Sequence, residues 1–96
     1  MRADYDSQAG TLQITLVDVD HANYGDDAVS GAIVATRNGG PVAIDLLDAR
    51  QGTERPLRAV AERYGLDIEA LTAAAQAALA VPDRTVIIDL LARAAA

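Results

Sequence analysis

Apolar and polar residues alternate along Thr11-Leu12-Gln13-Ile14-Thr15-Leu16, and this period of two predicts a half-buried antiparallel strand over 11–17. Ala3 to Asp6 reads as its partner, reached through a turn at Ser7 to Gly10. The polar run DVDHANYGDD, residues 18–27, then reads as a connecting loop, followed by a third strand over Ala28 to Thr36 and a fourth over Pro41 to Leu47. Between the last two sits Asn38-Gly39, whose tolerance of positive φ suits a type I′ hairpin turn. A two-residue loop sets Ile33 opposite Ile44 and Ala35 opposite Val42, whereas a loop that also takes in Gly40 sets Val34 opposite Ile44. The first register is preferred because it stacks two β-branched residues. Pro41, lacking an N–H, belongs at a strand start or edge.

The period lengthens after Gln51-Gly52-Thr53. Leu57, Val60, Ala61 and Tyr64 recur at helical spacing, with Pro56 in the first turn and Gly65 as a C-terminal stop. Asp67 is placed to cap a second helix over Ile68 to Ala80, whose stripe of Ile68, Leu71, Ala75 and Leu79 is expected to face the sheet. Beyond Pro82, Thr85 to Ile88 reads as a strand by its β-branched run. With Asp83 as cap, and Ile87, Leu90, Leu91 and Ala94 at helical spacing, the same segment reads as a helix. The strand followed by a tail is preferred. The expected fold is one α+β domain over 1–96. It comprises a four-stranded antiparallel meander (1–50), a packed helical pair (53–81) and a terminal segment (83–96) that can return as a fifth strand.

Composition limits how this fold closes. Hydrophobic residues make up 51% of the chain, but 21 are Ala; Phe and Trp are absent. A Val, Ile, Leu and Ala core lacks aromatic anchors, each of which can bury about 150–250 Å². A chain of this size hides only about 60–65% of its unfolded surface. A second copy would bury more, so a homodimer or larger assembly is expected. The net charge is −6 and all eight basic residues are Arg. That balance argues against nucleic-acid binding, which rests on neutralising phosphates. It suits a soluble cytoplasmic protein. The N-terminal residues show no apolar signal-peptide core, and no apolar run approaches the about 20 residues of a membrane span. With no cysteine there is neither a disulfide nor a thiolate metal site.

Two patches carry a family resemblance. Tyr5-Asp6-Ser7-Gln8-Ala9-Gly10-Thr11-Leu12-Gln13-Ile14 resembles the opening YD-x-x-A-D-x-L-Y-I of the family catalogued as domain of unknown function 2283. Asn38-Gly39-Gly40-Pro41-Val42-Ala43-Ile44-Asp45-Leu46-Leu47-Asp48-Ala49 resembles its D-G-x-I-V-G-I-E-I-L-D-A. The resemblance spans residues 4–50 and departs from the family at Gly10, Gln13, Ala43 and Asp45. It implies a small antiparallel sheet without established activity. Members that occur beside small toxin-like proteins suggest an antitoxin role. No catalytic residue is carried over.

Candidate chemistry is sparse. Asp45 stands between Ile44 and Leu46, and strand parity puts it on the face opposite Val42, Ile44 and Leu46. It is therefore expected to be exposed or paired with an Arg, since an unpaired buried carboxylate is expensive. Asp18, Asp20, His21, Asp26 and Asp27 offer hard-cation ligands. The calcium-loop template nevertheless fails at Ala22, and one histidine excludes a multi-histidine zinc site. Ala61 to Gly65 mimics a helix-turn-helix corner, but the second helix offers Glu69, Thr72 and Gln76 where base readers need donors. The only serines, Ser7 and Ser30, have only His21 as a base, and the glycines fit no phosphate loop. Arg50, Arg55, Arg58 and Arg63 form the one locally basic stretch, with Arg58 and Glu62 spaced to pair. These arginines read as a contact for an acidic partner or for the acidic loop of a second subunit, beside the plainer reading of a solvated helix face. No cofactor is expected. The functional expectation is a non-enzymatic self-associating or protein-binding module, with Leu57, Val60, Leu71, Leu79 and Val86 to Leu91 as packing surfaces. The alternatives are an antitoxin-like partner of a small basic protein, or a small-molecule enzyme using carboxylates and Arg.

Overall fold

Strand parity decides which residues leave water, and it does so consistently across six strands. The computed structural model describes residues 1–18 and 25–89. The strands β1 (Arg2–Asp6), β2 (Thr11–Thr15), β3 (Gly25–Val29), β4 (Ala32–Arg37), β5 (Gly40–Leu46) and β6 (Thr85–Ile87) form one sheet. Its order is β3-β4-β5-β2-β1-β6, and every neighbouring pair is antiparallel. Ala3, Leu12, Ile14, Ala32, Val34, Ile44 and Leu46 share one face and are buried. Against them pack α1 (Glu54–Tyr64), through Leu57, Val60 and Ala61, and α2 (Ile68–Ala80), through Leu71, Ala74, Ala75 and Ala78. The buried side of α2 is thus richer in alanine than the expected stripe, with Ile68 and Leu79 at its margins. Small side chains let this helix lie close to β1 and β2.

The α+β class and the helical pair stand as expected, but the sheet is larger and is not a simple meander. Ser30 and Gly31 adopt φ of 46° and 88°. They turn the chain tightly inside what reads as one strand, so Ala28 to Thr36 is shared between β3 and β4. Gly25, Asp26 and Asp27, read as loop, belong to β3. β5, the longest strand, with Val42, Ile44 and Leu46 all buried, lies in the middle between β4 and β2. The acidic β3 takes the edge, where charge does least harm.

The Asn38-Gly39 turn has the expected two-residue form, with φ of 54° and 80°, and Arg37 lies opposite Gly40. The register beyond it differs. A β-bulge intervenes between Ala35 and Thr36, so that Val34 lies opposite Ile44 and Ile33 opposite Asp45. Val42 is the extra residue on β5. The bulge lets Val34 and Ile44 enter the core together, and it falls beside Pro41, which has no N–H to lose. The Val42 carbonyl accepts from the N–H groups of Leu16 (2.9 Å) and Val17 (3.2 Å), carrying β2 past its ladder.

Helix ends follow the sequence signals. Asp67 accepts from the Glu69 N–H at 3.0 Å, and Gly65 closes α1 at φ 66°. Of the two readings of the terminal segment, the strand is the one that forms, as β6 beside β1. Asp83 caps no helix. It turns at φ 64° and accepts from both the backbone N–H and the hydroxyl of Ser7, at 2.9 and 2.6 Å. Leu90, Leu91 and Ala94 lie outside the described residues.

Burial predicts a sharp contrast between two apolar positions on neighbouring stretches. Leu12→Ala, in the centre of the core, lowers the unfolding free energy by about 2–5 kcal/mol. Val17→Ala, at a side chain 48% exposed, shifts it by about 0.5 kcal/mol or less. Urea denaturation of both variants checks this.

Candidate functional site

The helices cover one face of the sheet, and the other is open. Registers place Ala28, Ile33, Asp45, Gln13, Asp4 and Thr85 in one row across this open face, and Asp26, Ala35, Ala43, Thr15, Arg2 and Ile87 in the next. Ile33, Ala35, Ala43 and Asp45, at its centre, are only partly accessible, whereas Asp26 is exposed. Arg2 contributes the positive charge in these rows and is held by Asp18 at 2.6 Å. The open face is therefore apolar over Ile33, Ala35 and Ala43 on β4 and β5, and polar over Asp45, Gln13 and Thr15 beside them.

Asp45 lies at the centre of this face, as parity requires, but its partner is not an arginine. It faces Gln13 on β2 and Ile33 on β4. Loss of water around the carboxyl group pushes its pKa above the ordinary carboxylate value. The Gln13 hydrogen bond opposes that shift, and the negative charge of Asp26 adds to it. No imidazole or guanidinium in its row completes an acid–base pair.

The four arginines of the basic stretch go to three places. Arg63 Nε contacts Asp27 at 2.6 Å, and the Tyr64 hydroxyl donates to the same carboxylate oxygen. The Arg63 guanidinium also lies 5.9 Å from the Tyr64 ring centre. Together these side chains fasten the C-terminal end of α1 to the edge strand β3. The Tyr64 hydrogen bond, helped by Arg63, holds the Asp27 carboxyl below the usual carboxylate range. Burial, and then the bond to Asp27, raise the Tyr64 hydroxyl above its ordinary value. Arg50 lies over Gly10, where φ is 74° and a Cβ atom would meet the Arg50 Nε at 2.5 Å. Arg55 and Arg58 line an open groove of about 910 Å³ between the β3–β4 turn and the start of α1. Leu47, Pro56 and Ala59 contribute apolar surface there, and Glu54 and Glu62 supply opposing charge. Arg58 pairs with Glu54 at 3.1 Å rather than with Glu62. The observed pair puts the acid four residues N-terminal to the base, the better helical orientation. Among the described residues Arg55 makes no ion pair.

The acids proposed as cation ligands are dispersed. Asp18 binds Arg2, while Asp26 and Asp27 are successive strand residues that point to opposite faces. Asp20 and His21 lie outside the described residues. Among the described residues no group of three or more His, Cys, Asp or Glu side chains is close enough to hold a metal, and no helix is long and apolar enough to cross a membrane.

Two polar devices escaped the reading of the sequence. The Asp27–Arg63–Tyr64 latch joins residues 36 and 37 positions apart. The Ser7–Asp83 clamp spans 76 positions. Asp27 was legible only as a loop acid, and Tyr64 only as part of an apolar stripe. Comparison with family models, curated proteins and solved structures gives no match.

The two shifted acids predict opposite pH behaviour. The carboxyl of Asp45 binds its proton more tightly folded than unfolded, so this group's contribution falls as pH rises from the unfolded value of 3.8 to its higher folded value. Asp45→Asn therefore raises the melting temperature at pH 7 and has less effect at pH 3. The depressed Asp27 contributes stability above its unfolded value, and that contribution fades as pH falls through its lower folded value. Asp27→Asn therefore lowers the melting temperature at pH 7, with the loss shrinking in acid. Thermal unfolding of both variants across pH 2–7 checks the two signs.

Proposed function

We propose that this protein is a non-enzymatic, self-associating module of the cytoplasm. The observation that carries this reading is the one-sided cover of the sheet. Six strands have helices on one face only, and the chain leaves Ile87, Leu47, Val17 and Val81 substantially exposed. Antiparallel sheets tolerate one wet face, but that face is ordinarily polar. Here Ile33, Ala35 and Ala43 lie beside Asp45, Gln13 and Thr15, so apolar surface is interleaved with polar groups near its centre. A core without Phe or Trp gains most from apolar area contributed by a second copy.

A second reading has its own support. Asp4, Asp26 and Asp45 share the open face in a chain of net charge −6. Such a surface suits a small basic protein, in the manner of an antitoxin and its target, with charge steering the encounter. This is also the role suggested by the resemblance of residues 4–50 to the domain of unknown function 2283.

Light scattering at micromolar concentration is expected to give twice the 10.0 kDa chain mass. That mass should persist in about 1 M salt, where the Debye length falls to about 3 Å. A strict monomer at high concentration overturns the self-association reading. A complex with a basic protein that dissolves in the same salt favours the second reading.

A further inference from the structure

The two edges of the sheet are built differently. Along β3 the chain carries Asp26 and Asp27 in succession, and the Asp27–Arg63–Tyr64 latch seals that flank with polar groups. Along β6 the run Thr85-Val86-Ile87-Ile88 carries no charge between Arg84 and Asp89. Ile87 is 79% exposed, and Ile88 and Leu79 are only partly buried against the core they touch. Charged edges block pairing with another chain, and uncharged apolar edges invite it.

We infer that β6 pairs antiparallel with β6 of a second copy, about a two-fold axis centred on Ile87. This inference rests on the self-association reading and names the surface that performs it. Met1 and Ile88 exchange both backbone hydrogen bonds, N–H of Ile88 to Met1 at 2.8 Å and the Met1 amine to Ile88 at 3.3 Å. Alternation along an antiparallel ladder then turns the N–H and C=O groups of Val86 toward β1 and those of Thr85 and Ile87 outward. Those outward groups fit two-fold registers centred on Thr85, Val86 or Ile87. The first sets Ile87 opposite the partner's Asp83 and Val86 opposite the partner's Arg84, with no apolar pair opposed. A register centred on Val86 sets Asp83 opposite the partner's Asp89, a like-charge pair. A register centred on Ile87 sets Ile87 opposite the partner's Ile87, Val86 opposite the partner's Ile88 and Thr85 opposite the partner's Asp89, with no like charges opposed. The Ile87 register is favoured over the Val86 register on charge and over the Thr85 register on apolar cross-strand contact. A two-fold pairing of β3 centred on Asp26 or Asp27 would set that acid opposite its own copy, with the other acid close by.

At the centre of that register the two Ile87 Cα atoms form a hydrogen-bonded pair, about 5.5 Å apart. That separation falls within the about 4.4–6.8 Å that a disulfide spans. The native chain contains no cysteine, so a single introduced thiol reports the contact. Sedimentation velocity of the wild-type protein, of Ile87→Lys and of Ile87→Cys, with Ala28→Cys on the acidic edge as control, tests the inference. The expected result is a wild-type dimer and a folded Ile87→Lys monomer, its dissociation constant raised by more than about 100-fold. Mild oxidation should link Ile87→Cys into a covalent dimer and leave Ala28→Cys single. A wild-type dimer that survives Ile87→Lys, with Ile87→Cys left unlinked, overturns the β6 contact while self-association stands. A wild-type monomer overturns both. Should Ile87→Lys fail to fold, hydrogen exchange on the wild-type protein decides. Protection of the Thr85 and Ile87 amides that rises with protein concentration supports the contact, and concentration-independent exchange refutes it.

Discussion

Leu12, Ile14, Ile44 and Leu46, fully buried or nearly so, meet Leu57, Val60 and Leu71 across the gap between sheet and helices, and every other feature is arranged around keeping that gap dry. The gap has to be narrow because the chain has no Phe or Trp to fill it, and Tyr5 and Tyr64 pack only at its margin. Alanine solves the problem on the α2 side, where Ala74, Ala75 and Ala78 let backbone approach backbone. The bulge at Val42 solves it on the sheet side by bringing Val34 and Ile44 into line. Neither device leaves a polar side chain inside, and no buried side-chain nitrogen or oxygen among the described residues lacks a partner. Apolar burial at about 25 cal/mol per Å² is thus the dominant favourable contribution to this fold.

Much of this was legible because it is local. The alternation at 11–16, the Asn38-Gly39 turn, the Asp67 cap and the Gly65 stop each act within a few residues, and each appears where the sequence signals it. Features that depend on distant partners were not legible. The Ser30-Gly31 turn lies inside an apolar stretch that alternates on both sides of it, so periodicity alone passes over it. The bulge at Val42 is selected by which residues can share the core, which is a property of the assembled sheet. The position of β5 beside β2 likewise follows from competition among strands for the centre. Strand parity gave the face of Asp45 but not its neighbour, because Gln13 arrives from another strand.

The candidate surfaces show the same division. The basic stretch reads as one patch along the chain, yet three-dimensional structure separates it into a structural latch at Arg63, a cover over Gly10 at Arg50 and an open groove at Arg55 and Arg58. Sequence proximity overstated the charge these residues can offer any one partner. Burial, conversely, concentrates what the sequence scatters. Ile33, Ala35, Ala43 and Asp45 come from two strands and form one continuous surface.

Placing β1 and β6 side by side has a mechanical consequence. Residues 1 and 88 lie at the same end of that antiparallel pair. Tension applied at residues 1 and 89 therefore loads the Met1–Ile88 bonds first and the bonds further in only afterwards. The pair peels open bond by bond, each worth about 1 kcal/mol net, instead of resisting in shear as a parallel arrangement would. A pull on residues 1 and 89 therefore meets the β1–β6 bonds one at a time rather than all together.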